Sequence, residues 1–166
     1  QEKPLKTLNI LPWAHIYSIT TELYYNLLNL NQIAISNGPE HFVKELFEVK
    51  PNVLYLVPKV LELIKTKLEK LDYPIVKYAI PIILKKLFNR DFITIFVGGA
   101  KLDNTTFQFY KKHNINICLG YGCSETSPMV SVNHLTFPRN EESVGKIIDD
   151  VIVEVLNDEI LVSGPN

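Results

Sequence analysis

With 166 residues, 46% of them hydrophobic, and a formal net charge of −1 from 17 basic and 18 acidic side chains, the chain can bury a sizeable core and offers no strongly charged surface for nucleic acid. Two cysteines, Cys118 and Cys123, lack paired CxxC spacing, which speaks against a zinc site and fits reduced thiols in the cytoplasm. No apolar h-region follows the charged N-terminus and no uncharged run reaches transmembrane length, so a soluble protein is expected, and both ends read as cut from something longer.

Short apolar runs alternate with helical patterns, the signature of repeated βα units and hence of an α/β fold with a mostly parallel sheet and flanking helices. The first strand is expected at residues 8–11. Ile16, Ile19, Leu23, Leu27 and Leu30 then recur at helical spacing with Glu22 as the only charge, which predicts a helix buried over most of its surface. A strand at 32–36 follows, and Asn37-Gly38 turns the chain. Pro39 opens a helix with Phe42, Val43, Leu46 and Phe47 on one apolar face and Lys44, Glu45 and Glu48 facing water. Pro51 precedes a strand at 53–57, and Pro58 starts a helix that turns Leu61, Ile64, Leu68 and Leu71 inward.

Residues 74–90 suit either a buried helix, the reading preferred for a short apolar segment, or a basic amphipathic helix in peripheral contact with a membrane, and Pro81 is expected to kink or divide it. Residues 92–97 read as a strand entering Gly98-Gly99, Asp103 as the cap of a helix through His113, and 115–119 as a further strand. Beyond Pro138 the pattern changes: 151–156 and 159–163 flank a two-residue Asn157-Asp158 turn and predict a β-hairpin. Residues 1–138 are therefore expected to form an α/β subdomain, and 139–166 to begin a β subdomain.

The residues that do not look like core follow directly on predicted strands: His15, Ser36 and Asn37, Gly98 and Gly99, and residues 121–126. In a parallel sheet these positions share one edge, where open α/β sheets bind ligands. Gly98-Gly99-Ala100 offers a backbone that a flat ring or a phosphate can approach closely, although paired glycines after a strand are more often a tight turn. The run Leu119-Gly120-Tyr121-Gly122-Cys123-Ser124-Glu125-Thr126-Ser127-Pro128 combines an aromatic ring, hydroxyls and one carboxylate, enough to stack a base, bind a phosphate and hold Mg²⁺. A polar turn capped by Ser and Thr fits the same spacing equally. His15 has no carboxylate near it in sequence and reads as pocket lining rather than as a base. No GxSxG occurs, which disfavours a serine hydrolase.

Five ordered segments resemble the adenylate-forming superfamily, and within it the long-chain acyl-CoA synthetases. Leu11-Pro12-Trp13-Ala14-His15 is similar to that family's LPLxH segment, and Val49-Lys50-Pro51-Asn52-Val53 with Val57-Pro58-Lys59-Val60 to its VKPTV and VPRV stretch. Gly98-Gly99-Ala100 resembles the GGAPL loop, Gly120 with the residues up to Pro128 resembles GYGxTETSP, and Ser143-Val144-Gly145-Lys146 with residues 159–166 resembles GSVGKP and GEIxVRGPN. The resemblance implies ATP, Mg²⁺ and coenzyme A as ligands, and a fatty acid or other carboxylate activated as acyl-AMP before transfer to the thiol. It implies that Gly98, Gly99 and Ala100 border the adenine and the acyl group, and that Gly120, Tyr121 and Gly122 frame the nucleotide with Tyr121 on the adenine ring. Ser124 would contact the α-phosphate, Glu125 would bind Mg²⁺, and His15 and Gly99 would line the acyl side.

Three departures stand out: Ser124 where Thr is usual, Lys101 where Pro is common, and Asp158 in place of Gly at the hairpin. The stretch between Leu71 and Phe92 is also shorter than in the long-chain enzymes, which leaves the acyl length open. The family's Ser/Thr/Gly-rich phosphate loop, its ribose-binding Asp and its C-terminal domain with a catalytic Lys do not occur in these residues. The chain by itself is thus expected to be inactive, with the rest of a parent enzyme missing. An aryl-CoA ligase, an acyl-AMP ligase and a non-catalytic α/β binding module remain alternatives.

Overall fold

All four residues of β3 (Val53–Leu56) are buried, so both faces of this strand must be covered, which requires a layer on each side of the sheet. The computed structural model describes residues 3–70, 74–88, 91–135 and 143–166, and of 74–79 the backbone alone. The expected 138/139 subdomain boundary and the inward turn of Leu71 lie outside the described residues. The fold is α/β. Strands β1 (Lys6–Asn9), β2 (Gln32–Ile35), β3, β4 (Thr94–Val97) and β5 (Ile117–Tyr121) are parallel in the order β2-β1-β3-β4-β5, and β6 (Ser131–Val132) and β7 (Lys146–Ile147) extend the sheet antiparallel beyond β5. A separate hairpin pairs β8 (Ile152–Leu156) with β9 (Glu159–Ser163), and Asn157 and Asp158 at its tip both adopt positive φ, 51° and 63°, as a type I′ turn demands.

Alternation sorts the buried strand residues onto two different faces. Leu8, Leu54, Leu56, Ile95, Val97 and Ile117 join one apolar cluster with Leu46 of α3 (Phe42–Val49), Leu61 of α4 (Pro58–Glu69), Leu84 of α5 (Pro74–Leu87) and Tyr110 of α6 (Asn104–Lys112). Each such aliphatic side chain contributes about 2 kcal/mol on burial. The Tyr110 hydroxyl donates to the Leu61 carbonyl at 2.9 Å, so its burial strands no polar atom. On the opposite face Tyr55 and Phe96 stack with ring centroids 5.5 Å apart, beside Thr7 and Asn9.

That second face is covered by α1 (Ile16–Ser18), a π-helical turn (Ile19–Tyr24) and α2 (Tyr25–Leu28), which run without a break. This helix reverses the sequence expectation. Its buried line is polar, Ser18, Glu22 and Asn26, while Leu27, Leu28 and Leu30 are exposed. The reason lies in the partner: Asn9 and Ser18 both donate to Glu22, Ser18 at 2.6 Å, and Asn26 donates to the Thr21 and Glu22 carbonyls at 3.1 and 2.7 Å. The polar stripe thereby pairs with the polar end of β1, leaving Glu22 Oε1 as its unpartnered atom, a constraint that hydrophobic periodicity does not register.

Other differences have equally local causes. Glu45, expected in water, is buried because it accepts from the Ser36 hydroxyl and from the Asn37 side chain at 2.7 Å. These bonds hold its carboxyl below the usual range. Helix α5 runs through Pro81, whose missing N–H removes a single rung. Phe92 lies outside β4 and packs on Phe88 at 4.7 Å, and β5 extends to Tyr121 because Gly120 and Tyr121 pair with Val132 and Ser131. His113 caps α6 rather than ending it, whereas Asp103 is the expected N-cap and accepts from the Thr106 N–H at 3.0 Å.

Burial pushes the Glu22 carboxyl up to about 7, against a lowering by Ser18 and Asn9, so between about pH 4.5 and 7 the folded chain holds a proton that the unfolded chain releases. This contribution to stability is full below the unfolded value and is lost as pH rises through 7. Denaturant unfolding at pH 5 and pH 8 should show Glu22→Gln gaining on the wild type by on the order of 3 kcal/mol at the higher pH. An unchanged difference would refute the assignment.

Candidate functional site

The carboxyl ends of β1, β3, β4 and β5 open onto one cleft of about 520 Å³. Three stretches wall it: residues 11, 12 and 15–18 after β1, Gly98 and Gly99 after β4, and residues 120–125 with Pro128 and Met129 after β5. Val57, at the end of β3, closes the base between them. The glycine pair and the Tyr121 to Glu125 segment thus meet around a single hollow. Neither loop is sequence-adjacent to the other; parallel pairing of β4 with β5 brings their ends together.

His15, Gly98, Gly99, Gly120, Tyr121, Gly122, Ser124 and Glu125 all line this cleft. Ala100 does not. The chain turns at Gly99, with φ +80°, and carries Ala100 outward to an exposed position. Tyr121 is 44% exposed, so its ring is free to take a flat partner.

Gly98, which lines the cleft, also answers a packing need within the protein. A Cβ there would sit 3.1 Å from the Tyr17 ring, and the Tyr17 hydroxyl donates to the Phe96 carbonyl at 3.1 Å. The missing side chain therefore makes room for a phenol of the protein itself. Burial also raises the Tyr17 hydroxyl far above its usual range, which leaves it a neutral donor. Tyr17, Val57 and Met129 are lining residues that sequence reasoning missed; the only available signal was the aromatic two positions after His15.

The β5 loop is held by its own groups. Ser124–Thr126 form one 3₁₀ turn, with the Cys123 N–H donating to the Thr126 hydroxyl at 3.1 Å. Ser127 takes φ 51° and precedes a cis bond to Pro128. From the far end of the chain, the Asn166 side chain donates to the Thr126 and Met129 carbonyls, both at 2.8 Å, a brace that no motif announced. Glu125 is exposed, and its own backbone N–H together with the Cys123 side chain holds its carboxyl below the usual range. It stays ionised at neutral pH. No group of three or more His, Cys, Asp or Glu side chains that could hold a metal occurs among the described residues, so a cation here would rest on Glu125 and on ligand oxygens, the arrangement Mg²⁺ favours.

His15 is exposed at the start of α1, and its backbone N–H donates to the Pro12 carbonyl at 3.1 Å. Ser36 and Asn37 turn away from the cleft to bind Glu45. Cys118 is buried in β5, and Cys123 is exposed at the cleft.

The profile of the AMP-binding enzyme family matches residues 2–166. No curated protein matches. Among solved structures, o-succinylbenzoate CoA synthetase from Bacillus subtilis bound with its product analogue is 16% identical, with TM-score 0.75 over 100% of this chain and 33% of that one. The same enzyme in complex with ATP and magnesium ion gives TM-score 0.73 at 16% identity over 100% and 34%. The N-terminal domain of FACL13 from Mycobacterium tuberculosis gives 0.73 at 17% identity over 99% and 41%. These likenesses establish the fold, and the chain spans about a third to two fifths of the structures it matches.

A Cβ on Gly122 would fall 1.7 Å from the Pro128 carbonyl oxygen, whereas one on Gly120 would meet nothing closer than 3.5 Å. Gly122→Ala is therefore expected to cost about 3 kcal/mol in thermal unfolding because backbone must move, and Gly120→Ala about 1 kcal/mol or less. Equal effects would show that the loop relaxes freely.

Proposed function

The chain belongs to the AMP-binding enzyme family, and from that premise we propose that its cleft is the nucleotide and acyl site of an ATP-dependent acid–CoA ligase whose substrate is a fatty acid. The observation that carries the reading is the meeting of Tyr121, Ser124 and the ionised Glu125 with the glycine pair around one hollow. Tyr121 offers a ring face to adenine, the Ser124 hydroxyl donates to phosphate, and Glu125 attracts a cation. Bound Mg²⁺ would supply positive charge where a carboxylate and a polyphosphate, both anions, must approach each other. His15, Tyr17 and Val57 then form the side of the cleft left for the acyl group. Coenzyme A is the acyl acceptor in this reading.

An aryl acid is the second reading, supported by the likeness to o-succinylbenzoate CoA synthetase. Adenylate formation by the longer protein with a fatty acid and with an aryl acid, compared at equal concentration, separates the two. The detached β8–β9 hairpin supports reading residues 139–166 as the start of a β subdomain. No helix among the described residues is long and apolar enough to cross a membrane. Exposed Ile82, with the exposed Lys85 and Lys86, supports peripheral contact with a lipid surface from the cytoplasmic side.

ATP titrated by calorimetry with and without Mg²⁺ should bind in a metal-dependent manner, and Glu125→Ala should weaken binding roughly tenfold or more, the loss of one charged contact. Binding indifferent to Mg²⁺ and to the substitution would remove the reading, and a parent protein that binds no nucleotide would make the fold a non-catalytic module. For the lipid contact, charge reversal at Lys85 and Lys86 should reduce co-sedimentation with anionic liposomes severalfold, on the order of 1 kcal/mol per charge. No change would exclude it.

A further inference from the structure

Glu22 is the buried titratable group for which the proposed chemistry has no use. It has no exposed surface, and its two oxygens differ sharply. Oε2 lies against the Ser18 hydroxyl and the Asn9 amide, while Oε1 is buried with no hydrogen-bond partner. Both of those neighbours also reach the Leu11 carbonyl, Asn9 at 2.9 Å and Ser18 at 3.2 Å. Leu11 begins the wall of the cleft that continues through Pro12 and His15.

Ser18 has one hydroxyl hydrogen and two acceptors. If Glu22 carries a proton on Oε2, it donates to the Ser18 oxygen, and the Ser18 hydrogen is free to go to the Leu11 carbonyl; every listener in the chain is then satisfied except a neutral carbonyl oxygen. If Glu22 is ionised, Ser18 must turn its hydrogen to the carboxylate, and Leu11 loses that donor. A buried, unpartnered oxygen of a carboxylate costs far more than that of a neutral acid.

We propose that Glu22 is a positioning residue for the cleft: through Ser18 and Asn9 its carboxyl group sets the conformation of residues 11–15, the wall that the proposed function assigns to the acyl side. The proposal borrows from that reading only the identification of the cleft as a ligand site. The titratable groups facing Glu22 are the phenols of Tyr17 on α1 and Tyr55 on β3, both raised by burial beyond the working range, so Glu22 is the group in this contact set that changes state near neutral pH.

The single tryptophan, Trp13, lies in the same segment between the lining residues Pro12 and His15, with its Nε1 buried and unpartnered, and its emission reports the conformation of the segment without any ligand. In the purified chain, Trp13 emission should titrate with a midpoint within about one unit of pH 7. Glu22→Gln, which cannot ionise, should give an emission that no longer changes with pH across this range. Ser18→Ala, which keeps the acid but cuts the link, should lose most of the transition. His15 lies two residues from the probe, and His15→Asn should leave the transition in place. Far-UV circular dichroism verifies that each variant is folded. A flat wild-type profile, a transition that survives Glu22→Gln or Ser18→Ala, or one that vanishes in His15→Asn each overturns the proposal. MgATP titration of the same samples is scored separately: absent binding with the expected emission profile removes the ligase reading and leaves the role of Glu22 intact.

Discussion

A carboxylic acid with no exposed surface must be hydrogen-bonded or neutral, and the helix after β1 is organised around that requirement. Glu22 takes Ser18 from its own helix and Asn9 from the end of β1, and Asn26 turns back to the carbonyls of Thr21 and Glu22 where the helix widens into its π turn. π turns leave backbone groups displaced from their ordinary partners, and a side-chain amide one turn on repairs them. The consequence reaches the sheet: with a polar stripe inward, Leu27 and Leu28 of the same helix face outward, and the face of the sheet beneath carries Thr7, Asn9, Tyr55 and Phe96.

The two faces of the sheet therefore serve different ends. The aliphatic face, with Leu54, Leu56, Ile95 and Val97 under α3 to α6, supplies most of the apolar burial that holds the strands in place. The polar face and the strand ends carry the groups that can bind. Rigid strands fix where the loops start, so Gly98 and Tyr121 come together although the chain between them includes a whole helix. Tyr17 fills the space over Gly98 and joins the helix to β4, so the polar helix and the cleft share a wall.

The chain belongs to the AMP-binding enzymes, and the chemistry proposed for the cleft draws on the local geometry of its residues. Glu125 is kept ionised by donors in its own turn, not by a basic partner, which leaves its charge available to a cation. The loop that carries it is pinned at Gly122 against Pro128 and by Asn166 at two carbonyls, so the carboxylate and the Ser124 hydroxyl are presented by a braced turn rather than by a loose one. In the proposed function, preorganisation of this kind would lower the cost of ordering the loop around a polyphosphate.

Strand and helix periodicity, proline and glycine punctuation, and the turn chemistry of Asn157-Asp158 were enough to read the α/β order, the hairpin and the loops that form the cleft, because each depends on neighbours within a few residues. Five ordered segments likewise marked the family. What only the tertiary structure decided were features that depend on a distant partner: the inward polar face of the first helix, answered by Asn9; the burial of Glu45, answered by Ser36 and Asn37; the use of Gly98 for Tyr17; the outward turn of Ala100; and the brace from Asn166. A hydrophobic pattern records which side chains avoid water, and it does not record which polar groups have found each other across the fold.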